Sequence, residues 1–275
     1  MNKEDYFIKH ISCKKDNFIG DDGVVIGNYV YSMDAFCQDV HFKLEWLSLK
    51  QIAIKSMLVN ISDAIAMNSK PKYALISISI PKSFGKKDIK NLTKGFKKVA
   101  KKFKIKIIGG DTIASDKLDI SITIISKTKN PIFRKGIKSD DLLCYTGSLG
   151  ESKRDLDRLF SGKFISKKSK FIEPKLKDKF FYKISPYINA ALDISDGLFF
   201  ELERLSKINN IGFEFFHKIP KNIGCSGEEY EILFAFDKRY LDKIKKIAKK
   251  TLTPITIFAK ATKGTYMCEC KHHHF

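Results

Sequence analysis

Long apolar runs are missing from this chain of 275 residues. The apolar runs at Ile76 to Ile80 and Leu118 to Ile125 are short and interrupted by polar residues. Nothing approaches the roughly 18–20 apolar residues that cross a bilayer. The N-terminal stretch MNKEDYFIKH has no apolar signal region, so neither a membrane span nor a secretory leader is expected. Proline and glycine are scarce, at 7 and 16, too few for a disordered or collagen-like chain. Six cysteines without regular spacing read as reduced thiols rather than a disulfide framework, and the cytoplasm is the expected address. Arginine is scarce too: Arg134, Arg154, Arg158, Arg204 and Arg239 are the whole set, so the net charge of +20 is a lysine charge. Nucleic-acid readers concentrate arginine and aromatics on one surface or carry a docking motif. No helix-turn-helix, zinc finger or ribonucleoprotein motif is present. The charge reads as a solvated lysine surface that still attracts anions such as nucleotides and phosphate esters.

What is present is 43% hydrophobic side chains, enough to build one large domain or two ordinary ones. Val24 to Asp34 reads as two short strands around the Gly27-Asn28 turn. Ser48 with Gln51 forms a capping box that opens a helix running to about Asn68. Tyr73 to Ile80 is a strand, and Ile89, Leu92, Phe96, Val99, Ala100 and Phe103 make a helical stripe. Ile105–Ile108 and Leu118–Ile125 are further strands. Asn130-Pro131 marks a break, dividing the chain into an N-terminal domain, 1–129, and a C-terminal domain, 130–275. Beyond it, Leu142–Tyr145, Ala190–Ile194, Ile211–Phe216, Tyr230–Phe236 and Ile255–Phe258 are strand-like. Ser161 to Lys179 reads as a lysine-rich surface helix or loop. Strands and helices alternate in both halves, so the class is α/β or α+β with sheets flanked by helices.

In so basic a chain the informative residues are acids at structural edges. Asp22 enters a strand, Asp34 ends one, and Asp63 lies inside an apolar helix. Asp111 follows Gly109-Gly110 at an expected strand end, and Asp193 and Asp196 flank a strand-to-helix turn. Carboxylates near buried elements need cations or donors, and several converging ones repel unless a divalent ion sits between them. Oxygen ligands with hydroxyls nearby suit Mg²⁺ before zinc. Taken singly, each has a plain alternative as a turn or a helix cap. Magnesium and glycine turns suggest phosphoryl chemistry, yet no P-loop string and no protein-kinase loop occurs. Cys268 and Cys270 with the histidines after them fit no standard zinc spacing.

The motifs Gly20-Asp-Asp-Gly23, Ser32-Met-Asp34 with His41-Phe42, Val59-Asn-Ile-Ser-Asp63, Gly109-Gly-Asp-Thr112, Leu192-Asp-Ile-Ser-Asp-Gly-Leu198 and Ser226-Gly-Glu-Glu-Tyr-Glu231 resemble, in one order along nearly the whole chain, those of the thiamine-monophosphate kinases. That family lies within the aminoimidazole-ribonucleotide-synthetase-like superfamily. The resemblance implies a two-domain mixed-sheet fold and transfer of the ATP γ-phosphoryl group to thiamine monophosphate, giving thiamine diphosphate. It also implies a homodimer built through the N-terminal domains. By the same resemblance Asp22, Ser32, the Met33 backbone, Asp34, Asp63, Asp111, Asp193 and Asp196 hold magnesium. Gly110, Asp111, Arg134 and Ser195 contact ATP, and His41, Glu228 and His272 contact the thiamine phosphate. The chain departs from the family pattern at Ser226 and Glu229, where glycine and aspartate are usual, and at His272, where an aromatic ring is usual. Aminoimidazole-ribonucleotide synthetase and selenophosphate synthetase are the alternatives inside the superfamily. A basic nucleic-acid-binding protein is the alternative outside it.

Overall fold

The computed structural model of the chain describes residues 3–11 and 19–271. Along the chain run α1 (Lys3–Ile11), β1 (Val24–Ile26), β2 (Tyr29–Cys37), α2 (Leu49–Ala66), β3 (Lys70–Pro81), α3 (Lys86–Phe103), β4 (Lys106–Ser115) and β5 (Asp119–Lys127). There follow β6 (Leu142–Thr146), α4 (Glu151–Phe160), α5 (Asp178–Ile184), β7 (Ala190–Asp193), α6 (Leu198–Asn209), β8 (Gly212–Phe215), α7 (Lys221–Gly224), β9 (Ile232–Phe236), α8 (Leu241–Thr251) and β10 (Ile255–Thr262). The strands form two five-stranded sheets, β1-β2-β5-β3-β4 and β7-β9-β6-β10-β8. Among the strands of the described residues, β3 and β4 pair in parallel, with α3 as their crossover, and the other strand pairings are antiparallel. The mixed α/β class read from the sequence is the class observed. Among the described residues no helix is long and apolar enough to cross a membrane.

Helix α2 holds the assembly together. Its N-terminus is the expected capping box between Ser48 and Gln51, which satisfies donors that a helix start leaves open. Its body is buried on nearly every side. One side meets the period-two face of β5, where Ile120, Ile122 and Ile124 are fully buried. Another meets β7 and α5, so one apolar core runs from Ile61 and Ile124 to Ala191 and Phe234. A helix enclosed in this way places polar residues such as Lys55, Asn60 and Asp63 inside the protein.

Three expectations need correction. The strand expected at Ile105–Ile108 runs on to Ser115, so Asp111 lies within a strand rather than after one. Gly109 and Gly110 make this possible at φ 155° and 141°, angles that side chains rarely adopt. A Cβ on Gly110 would lie 1.7 Å from the Ile76 carbonyl oxygen. Residues 161–177 carry no helix and are not simply surface: Lys170, Phe171 and Ile172 are buried. Nor are all the thiols free, because Cys225 and Cys270 form a disulfide.

Candidate active site

Four of the edge carboxylates meet where the two sheets face each other across α2. Asp22 comes from the loop before β1, Asp34 from β2, Asp63 from the last turns of α2 and Asp193 from the end of β7. Oxygens of Asp22, Asp63 and Asp193 all lie within 4.8 Å of one another. Asp22 Oδ2 and Asp193 Oδ2 are buried without a hydrogen-bond partner, an arrangement that costs energy unless a cation completes it. Burial, with repulsion from Asp22 and other acids, pushes the Asp34 carboxyl up to about 6, although Asp63 within hydrogen-bonding reach opposes this. Burial and neighbouring acids likewise raise Asp63 and Asp193 well above the ordinary carboxylate range. This cluster is the natural place for a divalent cation, and its all-oxygen donors suit magnesium.

Asp34 ionises later in the folded chain than in the unfolded one, so its contribution is most favourable below about pH 4 and is lost as pH rises through about 6; Asp63 and Asp193 shift in the same direction. Without divalent metal, this cluster should therefore lower the melting temperature across that window. Added Mg²⁺ should restore it at the upper end. Thermal unfolding with and without Mg²⁺ checks this, and a metal-independent curve would contradict it.

Arg134 lies at the cluster's edge. Its Nε donates to Asp22 Oδ1 at 3.0 Å, its Nη2 donates to the same oxygen, and its backbone N–H donates to Asp21 Oδ1 at 2.6 Å. Burial opposes the guanidinium charge, but Asp22 and Glu201 outweigh it and hold the group protonated. Asp196 accepts from Arg204 Nη2 at 2.6 Å, and Arg204 also pairs with the buried Glu201 at 2.8 Å. The Ser32 hydroxyl and the Asp34 backbone N–H both bond to Asn60, fixing β2 against α2.

Beside the carboxylates stands a second group. Glu228 Oε2 lies 2.5 Å from Nζ of Lys55, which is fully buried, and the Tyr230 hydroxyl donates to Glu228 Oε1 at 3.0 Å. Burial alone would raise the Glu228 carboxyl, but Lys55, His41 and Tyr230 together hold it below its ordinary value. His41 stacks on Phe36 and accepts the Cys37 N–H through Nδ1. Glu228 and Tyr230 adopt φ 60° and 50°. Their N–H groups donate to the Ser195 and Ile194 carbonyls at 2.6 and 2.8 Å, which over-determines this strained turn. Glu229 and Glu231 turn instead into a buried network with Lys170, at 2.8 and 2.9 Å.

The fold thus gathers Asp22, Asp34, Asp63, Asp193, Asp196, Arg134, Ser195, His41 and Glu228 into one region. Asp111 and Gly110 lie apart, on the exposed outer strand β4, and the Met33 side chain points outward at 63% exposure. His272 lies outside the described residues. Sequence reasoning missed Lys55, Asn60, Glu201 and Arg204. Lys55 did carry a signal, as a charge in the middle of an apolar helix.

The sequence profile described as "AIR synthase related protein, N-terminal domain" matches residues 20–128. A thiamine-monophosphate kinase of Buchnera aphidicola subsp. Schizaphis graminum is 31% identical over 274 residues, covering 89% of this chain and 84% of that relative. A protein of the same name from Nitrosopumilus maritimus is 31% identical, covering 79% and 76%. Among solved structures, "AaThiL complexed with AMPPCP and TMP" superposes with a TM-score of 0.87 at 23% identity, covering 99% of this chain and 96% of that one. The HypE–HypF complex gives 0.78 at 17% identity, covering 95% and 93%. These superpositions show the shared AIR-synthase-like fold.

Proposed function

This chain belongs to the thiamine-monophosphate kinase family, and we propose that it transfers the γ-phosphoryl group of ATP to thiamine monophosphate. The observation that carries the reading is the buried meeting of Asp22, Asp63 and Asp193 with two unpartnered carboxylate oxygens. A relative of the same fold, solved with AMPPCP and TMP, supports the choice of substrates. Asp22, Asp34, Asp63, Asp193 and Asp196, with Ser32 and the Met33 backbone, are the residues that would hold Mg²⁺. Bound there, magnesium would offset the charge of the phosphates. Arg134 and Ser195 are assigned to ATP, and His41, Glu228 and His272 to the thiamine phosphate; Gly110 and Asp111, apart on β4, are left outside this cluster.

The acceptor is a phosphate monoester with a second pKa near 6, mostly dianionic at neutral pH and in no need of a strong general base. What the chain must supply is alignment and charge compensation. Arg134 can supply positive charge, and the fixed Glu228 turn can supply position. The aspartates are committed as ligands, so a covalent phosphoenzyme has no free nucleophile among them. Transfer is then a single in-line displacement, and chiral γ-thiophosphate should emerge inverted; retention would exclude it. ATP consumption measured with thiamine monophosphate, with aminoimidazole precursors and with selenide tests the substrate assignment. Turnover with either of the latter alone would overturn it.

We also propose a homodimer through β4, which is exposed along its length except at Ser115 and shows Ile107, Ile108 and Ile113 to solvent. A long apolar edge strand left open is an aggregation hazard, and a second copy would cover it. Ile113→Asp should shift the light-scattering mass from dimer to monomer, and a monomeric wild type would refute the proposal. The profile match ending at residue 128 supports a division at 129/130, which limited proteolysis near Asn130 would test. We place the enzyme in the cytoplasm, where ATP is available; recovery in a membrane or secreted fraction would contradict that.

A further inference from the structure

An ammonium inside an apolar helix is tolerated only when its surroundings fully compensate it. Lys55 has no exposed surface. Its Nζ meets Glu228 Oε2 at 2.5 Å and lies 3.6 Å from the centroid of the Phe171 ring, with the Phe36 ring at 5.7 Å. Such a cage leaves the cation few orientations and adds cation–π attraction. Glu228 has the opposite character, with its side chain still 24% exposed. It therefore stands between a locked cation and open space.

Phe171 comes from the irregular strap between α4 and α5, and its neighbour Lys170 bridges Glu229 and Glu231. Two consecutive strap residues thus act on the acids of the 226–231 turn. Lys170 holds the inward pair directly, and Phe171 reaches Glu228 through Lys55. The other charged or titratable groups acting on Glu228 are His41 beyond β2 and Tyr230. Asp34 on β2 is the like charge in range. Without Lys55, the Tyr230 hydroxyl on Oε1 would be left to hold the carboxylate against rotation into solvent or pairing with His41.

We infer that Lys55 is a positioning residue that fixes the Glu228 carboxylate in the orientation used to bind the cationic, phosphate-bearing substrate. The inference rests on the reading that Glu228 contacts the thiamine phosphate. Lys55 itself, being buried, touches neither substrate.

The test is steady-state kinetics with each substrate varied in turn, on Lys55→Met, Lys55→Gln, Glu228→Gln and the double variant Lys55→Met/Glu228→Gln. Losing one partner of a buried charge pair weakens binding by roughly 30-fold or more. Lys55→Met should therefore raise KM for thiamine monophosphate by about that factor while KM for ATP stays within about twofold. Because the residues act as one unit, the double variant should be no worse than Glu228→Gln alone. Should Lys55→Met fail to fold, Lys55→Gln retains a donor, and the double variant removes the unpaired charge, so both keep the comparison available. An equal rise in both KM values, or additive effects in the double variant, would overturn the positioning role. If Glu228→Gln raises KM but the Lys55 variants do not, this inference fails while the Glu228 reading stands. If Glu228→Gln leaves KM unchanged, the Glu228 reading fails first and the inference with it.

Discussion

Asp63→Asn should reduce turnover by about a thousandfold or more while raising the melting temperature of the metal-free protein. Both effects come from one charge. Asp63 sits in α2 with Asp34, Asp193 and Asp22 around it, and burial with their repulsion pushes its carboxyl well up. Asparagine keeps the size and a hydrogen-bonding oxygen but removes one member of a mutually repelling set, so the empty site relaxes. A gain of about 1 kcal/mol would appear as roughly 2–4 °C in a chain of this size. The same change would remove one of the proposed magnesium ligands from the cluster, and losses of that kind reach about a thousandfold. The Mg²⁺-dependent rise in melting temperature should shrink with it. Stability and activity moving in opposite directions mark a functional charge cluster. Near-normal turnover at limiting Mg²⁺, or a lower metal-free melting temperature, would count against it.

The second large effect is structural. Lys170→Met should cost about 3–5 kcal/mol, the usual penalty for leaving buried charges unpaired, which is a large part of a typical total of about 5–15. Lys170 is 9% exposed and its ammonium lies between Glu229, with no exposed side-chain surface, and Glu231, with 3%. It also donates to the Ser148 carbonyl at 2.6 Å. The carboxylates have other obligations that prevent them from turning outward. Glu229 Oε1 accepts from the backbone N–H groups of Gly150 and Ser152 at the start of α4. Glu231 Oε2 accepts from the Thr146 hydroxyl. Gly147 lies so close that a Cβ there would fall 2.0 Å from Glu231 Oε1. Urea unfolding should show a markedly lower midpoint, and Glu229→Gln with Glu231→Gln in the same chain should recover much of it. An unchanged midpoint would mean that the network is not the support proposed.

Much of the site was legible in the sequence because its residues contradict their surroundings. An aspartate in an apolar helix, as at Asp63, or at the end of a fully buried strand, as at Asp193, needs a reason that local structure does not provide. The Ser48–Gln51 capping box was legible for the opposite cause, since every contact it makes is local. Lys170 gave no such signal. Its neighbours Lys167, Lys168 and Lys175 are exposed or lie in ordinary loop, and only the tertiary meeting with Glu229 and Glu231 separates it from them. Cys225 and Cys270 are 45 positions apart, and no spacing rule pairs them. Asp111 was misplaced because two glycines read as a break, whereas their positive φ values let β4 continue through them. Local chemistry announces itself in sequence; a pair made by folding does not.

Phosphoryl transfer to thiamine monophosphate is tested by product analysis with mass spectrometry and ³¹P NMR. Purified protein is incubated with ATP, Mg²⁺ and thiamine monophosphate, with Asp63→Asn as the control. Thiamine diphosphate and ADP should appear in equal amounts, should depend on Mg²⁺, and should be all but absent from the variant. ATP hydrolysed to ADP and free phosphate with thiamine monophosphate left intact, or equal product from the variant, would exclude this transfer at the Asp63 cluster.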